Sequence, residues 1–289
     1  MDHGFNIAKV SPSVGAEISG VDLSNPMTDE LITDIRQALG EHGVLFFRNQ
    51  NIDPVSHLEF AKRFGKIDIN KFFKPVEGFP EIAMVKREPD QSGATGWYWH
   101  TDHSYDQVPA MGSVFVAREI PPVGGDTLFA GMAAAYAALS EGLKVTLEGL
   151  EAWHTDLVCP EVADPQIQSM FQDQQPGLQN HEASRVKHPM VIRHPISGKK
   201  VLYVNSGFTE SIVGWTHAES KALLEYLFQH AQQHQFTYRH RWQEGDVAFW
   251  DNRGTWHCAL DDCFGHRREL HRITIEGVPL EAAAKPSIQ

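Results

Sequence analysis

The sequence predicts a mainly β protein, a double-layered jelly roll (double-stranded β-helix) with peripheral helices. Short apolar runs of strand length recur along the 289-residue chain, and the helical patterns between them are few. No strand–helix–strand rhythm of the kind that builds a parallel sheet is present. With 42% hydrophobic residues the chain can bury one core of ordinary enzyme size, so we expect a single domain over residues 1–289.

Strands are predicted where a short apolar run is bounded by turn residues. These runs are residues 5–23, which would hold several short strands, and 44–47, 111–117, 126–129, 190–193, 201–204 and 272–275. Residues 236–242 and 246–250 flank Glu244 and Gly245, and this arrangement predicts a hairpin.

Helices are predicted where apolar residues recur at helical spacing after a capping residue. Thr28 and Asp53 are the N-caps of two such segments, and a proline follows the second cap. Residues 132–150 predict a further helix. Thr216 and Glu219 form a capping box ahead of a leucine-rich stripe.

Two segments fit neither pattern, and we predict loop insertions in both. Residues 66–98 are interrupted by proline and glycine, and residues 155–185 are polar and rich in glutamine. A loop that lies beside a functional site is a natural lid or substrate wall. A solvated surface connection is the alternative for each.

Charge and cysteine content exclude several classes of function. The net charge of -12 argues against a nucleic-acid or anionic-membrane surface, because such surfaces need clustered cations. Three cysteines without CxxC spacing indicate neither a disulfide framework nor a zinc knuckle. No basic N-terminal region precedes an apolar run, and no apolar stretch has the length of a membrane span. We therefore expect a cytoplasmic protein, and we also expect a homo-oligomer, either a dimer or a tetramer.

His100 and Asp102 are two residues apart, so on an extended segment both side chains would point to the same face. A distant histidine, for which His257 is the candidate, would complete the two-histidine, one-carboxylate face typical of non-haem Fe(II) oxygenases. The motif alone is weak evidence, because residues 153–156 repeat residues 99–102 letter for letter and supply His154 and Asp156 as a second candidate pair.

Further residues distinguish the His100 copy from the other. Thr127 follows Gly125 and Asp126 on the next predicted strand and offers a hydroxyl to a carboxylate. Arg268 and Arg272 are four residues apart, and on a strand this spacing puts both on one face. Each arginine offers a planar fork to a carboxylate or sulfonate, so the pair indicates two anionic groups in one pocket.

In this order and spacing, the motifs resemble the taurine dioxygenase and chlorophenoxyacetate dioxygenase family of Fe(II)- and 2-oxoglutarate-dependent enzymes. The motifs are His100-x-Asp102, Gly124-Gly125-Asp126-Thr127, Tyr203-Val204-Asn205, Trp250-Asp251-Asn252-Arg253 through His257, and Arg268 with Arg272. The resemblance covers nearly the whole chain, from about residue 15 to residue 275. It implies a cupin-like jelly roll.

The resemblance implies a role for individual residues. His100, Asp102 and His257 would hold Fe(II), and 2-oxoglutarate would chelate the metal. Arg268 and Thr127 would bind the remote carboxylate of 2-oxoglutarate. With O2 the reaction would release succinate and carbon dioxide and hydroxylate the substrate, and a C–O, C–S or C–N bond at the hydroxylated carbon could then break. Related halogenases replace the carboxylate ligand with a small residue, so Asp102 argues against halogenation.

The resemblance also implies where a small anionic organic substrate would bind. Arg272 would meet its anionic group. Taurine-type members have a histidine where this chain aligns Asn70, and an asparagine where it has Gly96, which puts taurine itself in doubt. Tyr98, Tyr105 and Phe208 would suit a larger or flatter anion, such as an aryloxyalkanoate, another sulfonate or a related carboxylate, although core packing is the alternative for each.

Other readings remain open. A taurine or alkylsulfonate dioxygenase proper is one alternative, and a non-oxidative jelly-roll metal protein or a zinc hydrolase is another, because the same ligands can hold zinc. His103 and His271 are expected to face away from the site, and Asp251 and Asn252 to shape the turn before His257. Three histidines around the last helix are expected to be exposed: His217, His230 and His234.

Overall fold

The computed structural model describes residues 4–91, 93–177 and 182–283. The strands are β1 (Asn6–Lys9), β2 (Ala16–Ser19), β3 (Val44–Phe47), β4 (Ile67–Asp68), β5 (Pro75–Val76), β6 (Phe79–Arg87), β7 (Gly112–Glu119), β8 (Thr127–Gly131), β9 (Glu151–Thr155), β10 (Arg185–Pro189), β11 (Val191–Arg193), β12 (Lys200–Leu202), β13 (Thr209–Ile212), β14 (Thr237–His240), β15 (Val247–Asp251), β16 (Thr255–Ala259) and β17 (Arg268–Ile275). The helices are α1 (Asp29–His42), α2 (Pro54–Lys62), α3 (Met132–Ala137), α4 (Glu141–Glu148), α5 (Pro160–Ala163), α6 (Pro165–Phe171) and α7 (His217–Ala231).

A large sheet and several small ones form the layers of the jelly roll. The large sheet has the order β1-β2-β3-β15-β7-β17-β6-β5, with β4 beside β17. Its pairs are antiparallel except β2 with β3. A facing sheet has the order β14-β8-β16, and this mainly β architecture with peripheral helices confirms the predicted fold class.

The two central strands β3 and β15 are buried on both faces. Along β15, Val247 and Phe249 join the core under α1 and α2, whereas Ala248 and Trp250 join the core shared with Phe129 of β8. The continuous apolar runs in these strands follow from this double burial, because alternate side chains enter different cores. The second core lies between the two sheets, next to β16.

The predicted helix starts are confirmed. The hydroxyl of Thr28 and the carboxylate of Asp53 accept hydrogen bonds from the first turns of α1 and α2, and Thr216 with Glu219 forms the capping box of α7. The single helix predicted over residues 132–150 is wrong, because α3 ends at Ala137 and Ser140 caps α4 separately.

Two strand predictions are wrong. Residues 236–250 do not form a hairpin, because β14 pairs with β8 while β15 pairs with β3 and β7 in the other sheet. The loop expected over residues 66–98 contains the nine-residue strand β6, which pairs with β17. Pro80, at the second position of β6, breaks the sequence pattern without breaking the strand, because a proline is tolerated near a strand start.

In the described ranges, no helix has both the length and the apolar character that crossing a bilayer requires. Cys159, Cys258 and Cys263 are buried free thiols.

Candidate active site

Strand pairing brings His100 and His257 together. His257 lies on β16, and His100 pairs with it in an isolated antiparallel bridge, each backbone N–H donating to the other's carbonyl oxygen at 3.0 and 2.8 Å. Directly opposed residues place their side chains on the same face. The two imidazole rings accordingly lie with their centroids 4.2 Å apart.

Asp102 completes a three-residue donor group with the two histidines. Its Oδ1 lies 3.7 Å from Nε2 of His100 and 3.7 Å from Nε2 of His257. The three ligand atoms lie within 4.8 Å of one another. In the described part of the chain, no other three His, Cys, Asp or Glu side chains come together in this way. The chain after Asp102 turns instead of continuing as a strand, so the predicted proximity holds although the predicted extended segment does not.

The protonation states of the triad suit a divalent metal. The Nδ1–H of His100 donates to the carbonyl oxygen of Tyr98 at 2.8 Å, which leaves the Nε2 lone pair free for a metal. Burial lowers the pKa of His100 and of His257, so both rings are neutral. Burial would raise the pKa of Asp102, but the positive charge of Arg272 outweighs the effect of burial, and the pKa is lowered. Two neutral imidazoles and one carboxylate fit Fe(II).

Arg272 lies on β17 beside the triad. Its Nη2 is 2.9 Å from Oδ2 of Asp102, and its Nε donates to the Thr274 hydroxyl at 3.1 Å. Arg272 is 8% exposed, and its Nη2 makes no aligned hydrogen bond with a described residue although Oδ2 of Asp102 lies close to it. The guanidinium therefore retains donors for a further anion.

A first cavity, which we call the aromatic cavity, opens onto the triad. The predicted substrate residues Asn70, Tyr98, Tyr105 and Phe208 all line it, together with Arg272. The Phe208 ring packs edge-on against Tyr105 at 4.9 Å and against Tyr98 at 6.2 Å. Asn70 uses its Oδ1 to accept hydrogen bonds from the backbone N–H groups of residues 72 and 73, so its amide nitrogen is the part left for a ligand.

A second cavity, the Thr127 cavity, also borders the triad. Its lining includes Thr127, Trp242, His257 and both Arg268 and Arg272. The Thr127 hydroxyl accepts a hydrogen bond from the Trp242 indole at 2.9 Å, so its own hydrogen is free to donate. Arg268 donates through Nε to the carbonyl of Gly125 at 2.9 Å. Burial lowers the pKa of Arg268 to about 10, which leaves it charged at neutral pH.

Residues 156–177, which we call the insert, belong to the second predicted loop, but they contain α5 and α6 and cover the aromatic cavity. Glu161 of the insert is 5% exposed and accepts hydrogen bonds from the Gly96 N–H at 3.0 Å and from Gln175 at 3.3 Å. Sequence reasoning missed Glu161 and Gln175, because single polar residues in a polar stretch carry no signal of burial. Residues 178–181 of the predicted loop lie outside the described residues.

The second copy of the motif does not join the triad. His154 is buried on β9, where its ring packs against Tyr203 and His188 with centroids 5.8 and 5.2 Å apart. Asp156 lines the edge of the aromatic cavity and accepts a hydrogen bond from the Ser184 N–H at 3.2 Å. The structure therefore brings together the copy that the surrounding residues favoured.

Three expectations about other side chains have different outcomes. His103 lines the aromatic cavity, and the expectation that it faces away is wrong because its left-handed φ of 58° breaks the strand alternation. His230 is buried and hydrogen-bonds the carbonyl of Ala135, so the expectation of exposure is wrong for it, while His217 and His234 are exposed. Asp251 binds the backbone and guanidinium of Arg253 in the turn before His257, as predicted.

A larger cavity lies away from the triad, between the N-terminal strands and α3. Its lining includes lysines and small residues. Three of these lysines are ion-paired: Lys144 with Glu141, Lys199 with Glu41 and Lys200 with Glu148. Their charges are therefore neutralised locally.

The fold and the triad together place this protein in the class of non-haem iron oxygenases. The model of the "Taurine catabolism dioxygenase TauD, TfdA family" matches residues 6–274, and the chain belongs to this family. The enzyme is a dioxygenase that depends on Fe(II), 2-oxoglutarate and O2.

Among its relatives, a sulfate ester dioxygenase of Pseudomonas putida that depends on alpha-ketoglutarate is 32% identical over 94% of this chain and 90% of its own. A 2,4-dichlorophenoxyacetate dioxygenase of Cupriavidus pinatubonensis is 31% identical over 91% of this chain and 94% of its own. The crystal structure of a taurine dioxygenase from Burkholderia xenovorans superposes with a TM-score of 0.79 at 35% identity and covers 95% of this chain and 91% of its own.

Proposed function

We propose that this dioxygenase hydroxylates a small organic anion with an aromatic or bulky apolar body, such as an aryloxyalkanoate, a sulfonate or a related carboxylate. One observation carries the proposal: Arg272, a buried guanidinium with free donors, lies beside the triad in a cavity walled by Tyr98, Tyr105 and Phe208. The relatives that act on sulfate esters and 2,4-dichlorophenoxyacetate support an anionic substrate.

In this proposal His100, Asp102 and His257 hold Fe(II), and Arg268 with the Thr127 hydroxyl binds the remote carboxylate of 2-oxoglutarate. When bound, iron, 2-oxoglutarate and O2 supply an oxidation that releases succinate and carbon dioxide and leaves a hydroxyl on the substrate carbon. Arg272 holds the substrate's anionic group, which fixes a neighbouring C–H bond near the triad. The aromatic walls exclude water from the reacting carbon.

The position of hydroxylation decides the product. If the hydroxylated carbon also bears oxygen, sulfur or nitrogen, the new O–H loses its proton as the carbonyl forms, and the C–O, C–S or C–N bond breaks with its electron pair leaving on the heteroatom. An aryloxyalkanoate would give a phenol and a 2-oxo acid. A substrate without such a heteroatom would keep the hydroxyl.

A substrate panel tests the proposal. Purified enzyme with Fe(II), ascorbate and 2-oxoglutarate is offered an aryloxyalkanoate, an alkylsulfonate, an alkyl sulfate ester, taurine and an amino-acid-derived acid, and succinate is measured. We expect substrate-stimulated succinate release that is highest with the aryloxyalkanoate. Taurine as the best substrate would favour the alkylsulfonate alternative, and zinc in the protein with no succinate from any compound would favour a hydrolase.

The cytoplasmic location, the absence of nucleic-acid and membrane partners and the homo-oligomeric assembly remain predictions. Light scattering of the purified protein would test for the dimer or tetramer.

A further inference from the structure

Buried hydrogen-bond donors without acceptors gather in a further, small cavity beside Arg268. Its lining includes Val85, Arg87, Thr95, Gln174 and Arg268. Val85, Thr95 and Arg268 also line the Thr127 cavity, so the two spaces adjoin. None of the roles assigned above uses Arg87 or Gln174.

Arg87 contributes one of these donors. It lies on β6 directly opposite Arg268 on β17 and is 4% exposed. Its Nη1 pairs with Asp261 at 2.6 Å and its Nε donates to the carbonyl of Gln91 at 3.2 Å, whereas its buried Nη2 has no acceptor among the described residues. Asp261 thus balances the charge of Arg87 but leaves Nη2 of its guanidinium without a hydrogen-bond partner among these residues.

Gln174 contributes the second donor, and it comes from the insert. Its side chain is held by the Thr95 hydroxyl, which donates to Oε1 at 3.2 Å. The residue is 8% exposed, and its Nε2 is buried without an acceptor in the described part of the chain. The amide N–H group is therefore available to a ligand in the cavity.

Arg268 supplies the charge. Among the described residues no carboxylate oxygen lies within ion-pairing distance of its guanidinium, whereas Arg87 is paired with Asp261. A water molecule could accept hydrogen bonds here but would leave this buried positive charge unbalanced. A carboxylate offers about four lone-pair sites and one negative charge, and it matches both requirements.

We infer that Arg87 and Gln174 are further ligands of the remote carboxylate of 2-oxoglutarate, and that cosubstrate binding thereby holds the insert closed through Gln174. The inference rests on the proposed role of Arg268. Closing the insert would also affect substrate binding, because the same insert carries Glu161 and Gln175 in the wall of the aromatic cavity. Cosubstrate binding would therefore order the surface that the substrate meets.

The test measures binding, not turnover. N-oxalylglycine, a non-reacting analogue of 2-oxoglutarate, is titrated into the full chain in the presence of Mn(II), and calorimetry gives the Kd. In a second measurement, hydrogen exchange of residues 160–177 is followed with and without N-oxalylglycine. Gln174→Leu keeps the side-chain size but removes the donor, and we expect its Kd to rise about ten-fold. The matched control is Gln172→Leu, at an exposed position of the same insert, which should bind as the wild type does.

Hydrogen exchange of the insert should slow on N-oxalylglycine binding in the wild type and in Gln172→Leu, and much less in Gln174→Leu. Gln174→Glu is a second variant, because a negative charge in the cavity should weaken binding more than leucine does. Wild-type affinity in both Gln174 variants would overturn the inference, as would insert exchange that N-oxalylglycine leaves unchanged in the wild type.

Arg268→Met separates this inference from the proposed function. Loss of binding in Arg268→Met with wild-type affinity in both Gln174 variants would overturn this inference and leave the proposed role of Arg268 standing. Retained binding in Arg268→Met would instead overturn the proposed cosubstrate site, and the inference with it. Thermal unfolding of each variant verifies that the fold is intact.

Discussion

Arg272 and Asp102 form an ion pair in which Nη2 lies 2.9 Å from Oδ2. The other oxygen of Asp102 faces the two imidazoles at 3.7 Å. One carboxylate therefore connects the proposed metal site to the guanidinium proposed to bind the substrate. An anion that binds Arg272 would share the charge of this guanidinium with Asp102, so substrate binding and metal coordination would be coupled through Asp102.

Removing the Arg272 guanidinium should weaken substrate binding. For Arg272→Met we expect the KM of the best anionic substrate to rise about 100-fold or more. The reason is that the guanidinium and the anionic group of the substrate can no longer form a buried, hydrogen-bonded charge pair. Steady-state kinetics on succinate release measure this effect. Arg267→Met is the control, since Arg267 pairs with Glu269 near the surface. A KM unchanged in Arg272→Met would remove the basis of the proposed substrate site.

Metal binding by two variants can show which copy of the His-x-Asp motif holds the metal. Asp102→Ala should abolish tight binding of Co(II), used as a spectroscopic substitute for Fe(II), because one of three ligands is lost. Asp156→Ala should retain Co(II) binding, since Asp156 is outside the donor group. Visible absorption during titration reports the outcome. The opposite pattern would mean that His154 and Asp156 hold the metal.

The geometry of the triad is predicted to require a glycine at position 96, without a side chain. The φ of Gly96 is +74°, and a Cβ at this position would lie 2.9 Å from Cε1 of His100. Gly96→Ala should therefore displace the imidazole and weaken Co(II) binding by about ten-fold or more. Gly78→Ala is the matched control, because Gly78 has a φ of +79° but nothing within 4 Å of the added carbon. Equal Co(II) affinity in the two variants would contradict the prediction.

Asp251 should make stability depend on pH. Burial would raise its pKa, but Arg253 and His194 outweigh burial and lower it below the ordinary value. A lowered pKa in the folded state stabilises the protein above the unfolded pKa of about 4, and this contribution is lost as the pH falls below that value. Asp251→Asn should thus lower the free energy of unfolding by about 3 kcal/mol or more at pH 7, because Arg253 stays buried without its partner.

Urea unfolding between pH 7 and pH 3 measures this effect. The difference between the wild type and Asp251→Asn should shrink as the pH falls below about 4. Asp90→Asn, at an exposed position, should change stability by less than about 0.5 kcal/mol at every pH. A constant difference across the range would show that Asp251 acts through packing and not through its charge.

Local sequence signals predicted the elements whose stability is local. The N-caps Thr28, Asp53 and Thr216 and the doubly buried strand Val44–Phe47 follow from hydrogen bonds and apolar runs within a few residues, and the structure has them. The strand Phe79–Arg87 was missed, because its burial comes from pairing with Arg268–Ile275 almost 200 residues later in the chain.

The sequence by itself determined the chemistry that can occur: two histidines, an aspartate and two arginines at family spacing define the class of enzyme. The surrounding residues favoured the His100 copy of Trp-His-Thr-Asp. Only the tertiary structure decided how this copy meets the distant histidine, because the bridge between His100 and His257 is a long-range pairing with no local signature. It also decided that Glu161, Gln174 and Gln175 of a polar segment are buried against the site. Burial of polar residues depends on partners that lie far away in the chain, and so local pattern cannot predict it.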